Sequence, residues 1–241
     1  MVLADILHSL FPHRADWSVL NGLVDGAGML PDGSTIHVLG TVNGTELGIE
    51  SAAAIAKRVL EIARLKDKTP LLMLVDSGAQ RMRKRDELMG MNEYLAHLFK
   101  ATVAAHRAGH TTIALLFGTS AAGAFIATGL SSSLLVALPG ASPMVMELRA
   151  MSRITKLSVE VLELKAQSTA VFAPGLSNMI KLGAIDAVWD PNLPLAPQLA
   201  AALERAQKEA DERDRIGEAR GGRSKAASIA ARMVQLVSSK S

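Results

Sequence analysis

The sequence predicts an α/β protein built on a mostly parallel sheet. Three observations carry this expectation: residues 71–75, 111–117 and 134–138 are short apolar or β-branched runs bounded by turn residues, helical periodicities fill the gaps between them, and the strand spacing is similar throughout. Runs without polar alternation suit strands covered on both faces, joined by right-handed crossovers. The composition agrees. Of 241 residues 49% are hydrophobic and 20% charged, enough for a substantial core. Aromatic residues are only 3%, which suits helices packed close on a sheet and not stacking platforms for single-stranded nucleic acid. A net charge of +3 is too slight to argue for DNA, so no nucleic-acid partner is expected. The absence of cysteine excludes disulfides, thiolate metal sites and a Cys nucleophile.

Residues 1–30 read as an N-terminal extension, with one helical turn over 5–10 and a loop at Gly22, Gly26 and Gly28. The first residues lack a basic region and are interrupted by Asp5 and His8, so no signal peptide is expected. Residues 34–42 alternate Ile36, Val38, Gly40 and Val42, residues 45–49 answer with Leu47 and Ile49, and Asn43-Gly44 between them signals a hairpin. Ser51 caps a helix over 52–65 with Ile55, Val59 and Ile62 on one face. A turn at 67–70 leads to the strand at 71–75, which ends at Asp76-Ser77-Gly78. After a polar loop at 79–85, a helix starts near Asp86-Glu87 and runs to Ala108, with Leu88, Met91, Leu95, Leu98 and Thr102 on one face.

The strand at 111–117 ends at Gly118 and passes through the small residues 119–123 into a helix opening at Gly123. The strand at 134–138 is closed by Pro139-Gly140. Helices are expected at 158–166 and 174–182, a last strand at 185–189, and a charged surface helix at 196–216. The tail beyond Gly221-Gly222 is basic, and its stripe of Ile229, Met233 and Val237 is expected to dock on the body or on a partner. The division expected is an extension (1–30), a central domain (31–195) and a C-terminal helix with tail (196–241). No apolar run reaches the ~18 residues a membrane span needs without turn signals, so no membrane partner and a cytoplasmic location are expected.

The chemistry narrows by exclusion. Ser120 does not stand in Gly-x-Ser-x-Gly, because position 122 is Ala. The loop is more similar to that of the Clp proteases, whose serine stands two residues before Gly-Ala-Phe, and that position here is Ala121. All six histidines (8, 13, 37, 97, 106 and 110) precede the loop, so no downstream general base exists. His106 and His110 flank Gly109 without a third ligand nearby and read as a solvated helix end, so no metal is expected. Nucleotide-binding glycine motifs are absent, and no Met-Lys-Met offers a biotin attachment point. What remains is a site made of backbone: the junctions 76–91 and 118–123 lie at carboxyl ends of buried strands, and free N–H groups at a helix start stabilise a developing anion.

These junctions resemble the carboxyltransferase branch of the crotonase superfamily. The resemblance rests on Val75-Asp76-Ser77 followed by residues 84–91, on Phe117-Gly118 through Gly123-Ala124-Phe125, and on Ala137-Leu138-Pro139-Gly140-Ala141. Residues 141–148 and 171–176 resemble more particularly the gamma subunits of biotin-independent malonate decarboxylases. Two departures stand out: Gly78-Ala79 replaces the usual Pro-Gly, and Ala122-Gly123-Ala124 replaces Ser-Gly-Gly.

The resemblance implies a crotonase-like (ClpP/crotonase) ββα superhelix with C-terminal helices. It implies a chain that works with a beta subunit, an acyl carrier protein subunit and an acyltransferase alpha subunit, turning a malonyl thioester into an acetyl thioester and carbon dioxide. The coenzyme-A-like prosthetic arm belongs to the carrier; no metal, no biotin and no group bound covalently to this chain is implied. The enolate would be met by the Gly123 N–H beside Ala122, with Gly90-Met91 as a second hole. Ser120 and Ala121, with Arg81 and Arg85, are the candidates for holding the substrate arm. Two readings of the cluster Arg81, Arg83, Lys84 and Arg85 stay open, a solvated loop or a contact to the arm's phosphates or an acidic carrier. Asp76 and Glu87 read as loop-capping or dipole partners. A carboxyltransferase subunit of a biotin-dependent carboxylase and a non-catalytic scaffold are the alternatives.

Overall fold

The computed structural model describes residues 1–208 and 211–238, with Phe172 and Lys208 as backbone only. After helix α1 (Leu3–Leu10), strands β1 (Ala15–Leu20) and β2 (Leu23–Met29) form a hairpin. Its turn is Asn21-Gly22, both at positive φ (53° and 76°), the geometry that matches strand twist. Gly26 and Gly28, expected in a loop, therefore lie within β2. Strand β3 (Thr35–Thr41) pairs antiparallel with β2 and parallel with β4 (Leu71–Val75). With both edges of β3 taken, the hairpin expected at Asn43-Gly44 cannot form; that dipeptide makes a turn at positive φ and the chain leaves the sheet for helix α2 (Ile49–Ala63).

The helix expected over 86–108 is two helices. Short α3 (Lys84–Leu88) stops before Gly90, which takes φ 83° and ψ 49°, and α4 (Met91–Arg107) starts afresh beyond it. Strand β5 (Thr112–Leu116) follows, then short β6 (Thr119–Ala121) and helix α5 (Ala122–Thr128). Next come β7 (Leu134–Ala137), short β8 (Ser142–Met144) and α6 (Leu148–Thr155). Helix α7 (Val159–Ser168) is capped by the Ser158 hydroxyl, α8 is Leu176–Lys181, and β9 shrinks to Ala187–Val188. The helix expected at 196–216 divides into α9 (Leu195–Lys208) and α10 (Arg213–Ala219), with residues 209–210 outside the described residues. Helix α11 (Ser224–Ser238) ends the described chain.

The main sheet runs β1-β2-β3-β4-β5-β7-β9, parallel from β3 onward. A second layer of short parallel pairings stands beyond its carboxyl ends: Leu47 with Gln80, Gly78 with Ser120, and β6 with β8. Each turn of the chain thus makes a long strand, a short extended piece and a helix, which is the ββα superhelix.

Side chains of β4 and β5 alternate between two cores. Met73, Val75, Ala114 and Leu116 face α2, α4 and α5, whereas Leu72, Leu74, Ile113 and Leu115 pack with α1 and α9. His110, expected at a solvated helix end, is fully buried, and its ring nitrogens meet the carbonyls of Thr69 (2.9 Å) and Leu65 (3.2 Å). The α11 stripe does not dock on the body: Ile229, Met233 and Val237 are more than half exposed. Among the described residues no helix is long and apolar enough to cross a membrane.

Candidate active site

The two junctions read from the sequence meet in space, and Asp76 ties them together. It stands at the end of β4, where the chain leaves the sheet, and its carboxylate accepts from Gly44 N–H (3.1 Å) and Thr119 N–H (3.1 Å). Three loops are thus gathered on one carboxylate. Below it, the Ser77 and Thr119 segments share backbone bonds, with Ser77 N–H and Gly78 N–H both donating to Thr119 O (2.8 and 3.1 Å). Ser77 and Ser120 are fully buried and their hydroxyls pair at 2.7 Å.

Of the residues expected to hold the arm, Ser120 therefore spends its hydroxyl inside the protein, and Ala121 donates its N–H to Gly78 O. Ala122 opens α5 at φ 52°, a left-handed setting that swings the chain from the short strand into the helix. The Gly123 N–H then points at the side chain of Gln80, whose Oε1 accepts at 2.9 Å. A Cβ at Gly123 would stand 2.6 Å from Leu95 Cδ1, so α5 rests directly on α4 at this point.

Gly90 and Met91 start the same helix one turn before Leu95. The Met91 side chain is buried in the core, and Gly90 N–H donates to Glu87 O (3.1 Å). No hydrogen bond joins Gly90 or Met91 to the 120–123 turn among the described residues.

The basic loop is split in its loyalties. Arg81 forks onto the buried Asp86 (2.5 and 2.9 Å) and reaches Glu50 (2.6 Å), while Arg85 pairs with Glu50 as well. The hydrogen bond from Arg81 is the main reason the Asp86 carboxyl lies below its usual range, and burial opposes it. Glu50 is held down at about 2, first by Arg85, then by its own helix backbone and by Arg81. Asp86, expected only to mark the start of a helix, is the buried anchor of the loop. Arg83 and Lys84 are exposed and enter no ion pair among the described residues.

Gln80, Ser77 and Leu95 were not singled out as site residues by the sequence. The one signal was Gln80 itself, a long amide placed just after the Gly78-Ala79 departure in a turn of small side chains. Among the described residues no group of three or more His, Cys, Asp or Glu side chains is placed to hold a metal.

With this geometry established, the family model of the malonate decarboxylase gamma subunit matches residues 42–237. A protein of Malonomonas rubra described as malonyl-S-ACP:biotin-protein carboxyltransferase is 30% identical over 195 residues, 75% of this chain and 67% of its own length. The crystal structure of a Pseudomonas malonate decarboxylase hetero-tetramer in complex with coenzyme A contains a chain that matches with TM-score 0.80 and 25% identity, covering 96% of this chain and 99% of that one. A chain of the Pseudomonas malonate decarboxylase hetero-dimer matches with TM-score 0.74 and 26% identity, covering 96% and 98%. Transcarboxylase 12S shares the fold, with TM-score 0.67 and 17% identity over 87% of this chain and 42% of that one. The chain belongs to the family of malonate decarboxylase gamma subunits.

Proposed function

We propose that the chain works with a beta subunit to decarboxylate a malonyl thioester carried on an acyl carrier protein, giving an acetyl thioester and carbon dioxide. The family match over residues 42–237 carries this reading. The geometry supports it, because the reaction needs a backbone donor in a sheltered turn and neither nucleophile nor metal. As the bond between the α-carbon and the carboxylate breaks, its electron pair spreads onto the thioester oxygen, and a proton then closes the enolate at carbon. Gly123 N–H is the donor proposed for that oxygen, held by the fixed turn over α4.

The arm that carries the thioester is the partner's cargo. Arg81 and Arg85 are engaged with Asp86 and Glu50, so the charge offered to its phosphates would come from Arg83 and Lys84. A carrier subunit and an acyltransferase subunit complete the expected assembly.

A second reading has its own support in the Malonomonas rubra relative, described as transferring to a biotin protein. Co-expression with a beta subunit and carrier, followed by measurement of carbon dioxide released from malonyl-S-ACP, tests the first. Release in the absence of any biotin protein supports direct decarboxylation; release that requires one and is blocked by avidin supports transfer.

A further inference from the structure

We infer that Gln80 is a built-in occupant of the Gly123 hole, seated where the substrate's carbonyl oxygen goes and displaced by it. The inference rests on the decarboxylase reading and names how that site is kept before substrate arrives. Gly123 lies in the first turn of α5, where backbone N–H groups lack partners within the helix. Gln80 Oε1 fills that vacancy at 2.9 Å, and it is a neutral amide carbonyl, chemically close to the acyl oxygen the hole is to receive.

The backbone around Gln80 is fixed. Leu47 N–H donates to Ala79 O (2.9 Å) and Arg81 N–H donates to Leu47 O (2.7 Å), so residues 79–81 are laced to the backbone of Leu47. Arg81 is further tied by its fork onto Asp86. Release of Gly123 therefore needs only rotation of the half-buried Gln80 side chain, with no movement of the loop. An occupant of this kind lowers apparent affinity by the fraction of time it fills the hole, and acts equally on the ground state and the transition state. Its signature is a change in KM.

The test is steady-state decarboxylation by the assembled complex carrying Gln80→Ala or Gln80→Glu. Gln80→Ala is expected to lower KM about 3- to 10-fold, the range one neutral hydrogen bond commands. Gln80→Glu places a carboxylate acceptor in the hole and is expected to raise KM by about tenfold or more, with relief as the pH is lowered and the carboxyl protonates. A kcat loss of about tenfold in Gln80→Ala with KM held would overturn the inference and make the amide a participant in the reaction. KM unmoved in both variants would overturn it too, because the substrate would then not meet Gly123.

A second readout does not depend on turnover: the Gly123 amide should exchange its hydrogen faster in Gln80→Ala than in the wild type, and equal rates contradict the occupancy. A wild-type complex that releases no carbon dioxide from the malonyl thioester would sink the decarboxylase reading, while the exchange comparison would still judge Gln80.

Discussion

Ser77 and Ser120 join their hydroxyls 2.7 Å apart at a point closed to solvent, forty-three residues apart in the chain. Through them the turn after β4 is bonded to the turn after β5, the two places where a backbone site was expected. A buried hydroxyl deprived of its partner loses water and gains nothing, so Ser120→Ala should destabilise the chain by ~1–3 kcal/mol. The double change Ser77→Ala with Ser120→Ala should cost less than the sum of the single changes. Denaturant unfolding of the four proteins in a cycle measures this, and strict additivity would show that the pair is not coupled.

Much of the fold could be read directly. The strands at 71–75 and 112–116 announce themselves because they are apolar or β-branched and buried at every position, as the interior of a parallel sheet requires. Strands β1 and β2 do not, since β1 is exposed along nearly its whole length and β2 carries Gly26 and Gly28. Two Asn-Gly pairs competed for the hairpin, and only the long-range pairing of β3 on both edges decides between them. The site was legible as two junctions, but the link between Gln80 and Gly123 spans forty-three residues and leaves no local pattern.

Gly78 lies in the turn that follows β4. It sits at φ 57°, and a Cβ there would stand 2.9 Å from Gly44 O. Gly78→Ala should cost roughly 1–3 kcal/mol, the range for a non-glycine residue forced into such a setting. A melting temperature equal to that of the wild type would show that the turn can relax.

Acid should weaken the loop that carries Arg81 and Arg85. The Glu50 carboxyl is lowered from its ordinary 4.5 to about 2, and that of Asp86 is lowered from 3.8. Carboxylates held low in the folded state contribute stability in full above their unfolded values and lose it as the pH falls through the folded ones. The loss should therefore set in below about pH 4.5 and deepen toward pH 2. Arg85→Gln should flatten this acid limb, most visibly at low salt because the Glu50 pair is exposed. Urea unfolding at a series of pH values checks it; parallel limbs in the two proteins would contradict the assignment.

Helix α11 buries none of its residues, whereas Arg220 just before it donates to the carbonyls of Ile180, Ile185 and Asp186. A chain ending after Arg223 should keep its melting free energy within ~0.5 kcal/mol of the full chain. A larger loss would mean that the helix packs on the body in solution.

Turnover of malonyl-S-ACP by the assembled complex carrying Gly123→Val tests the central claim most directly. The added side chain meets Leu95 Cδ1, which a Cβ would already approach to 2.6 Å, and so shifts the first turn of α5 and its N–H without removing any side-chain catalyst. Loss of one donor from such a hole slows kcat by about 10²–10³. A fall of that size with the subunits still co-eluting is the predicted result, and near-normal turnover would contradict Gly123 as the donor to the enolate oxygen.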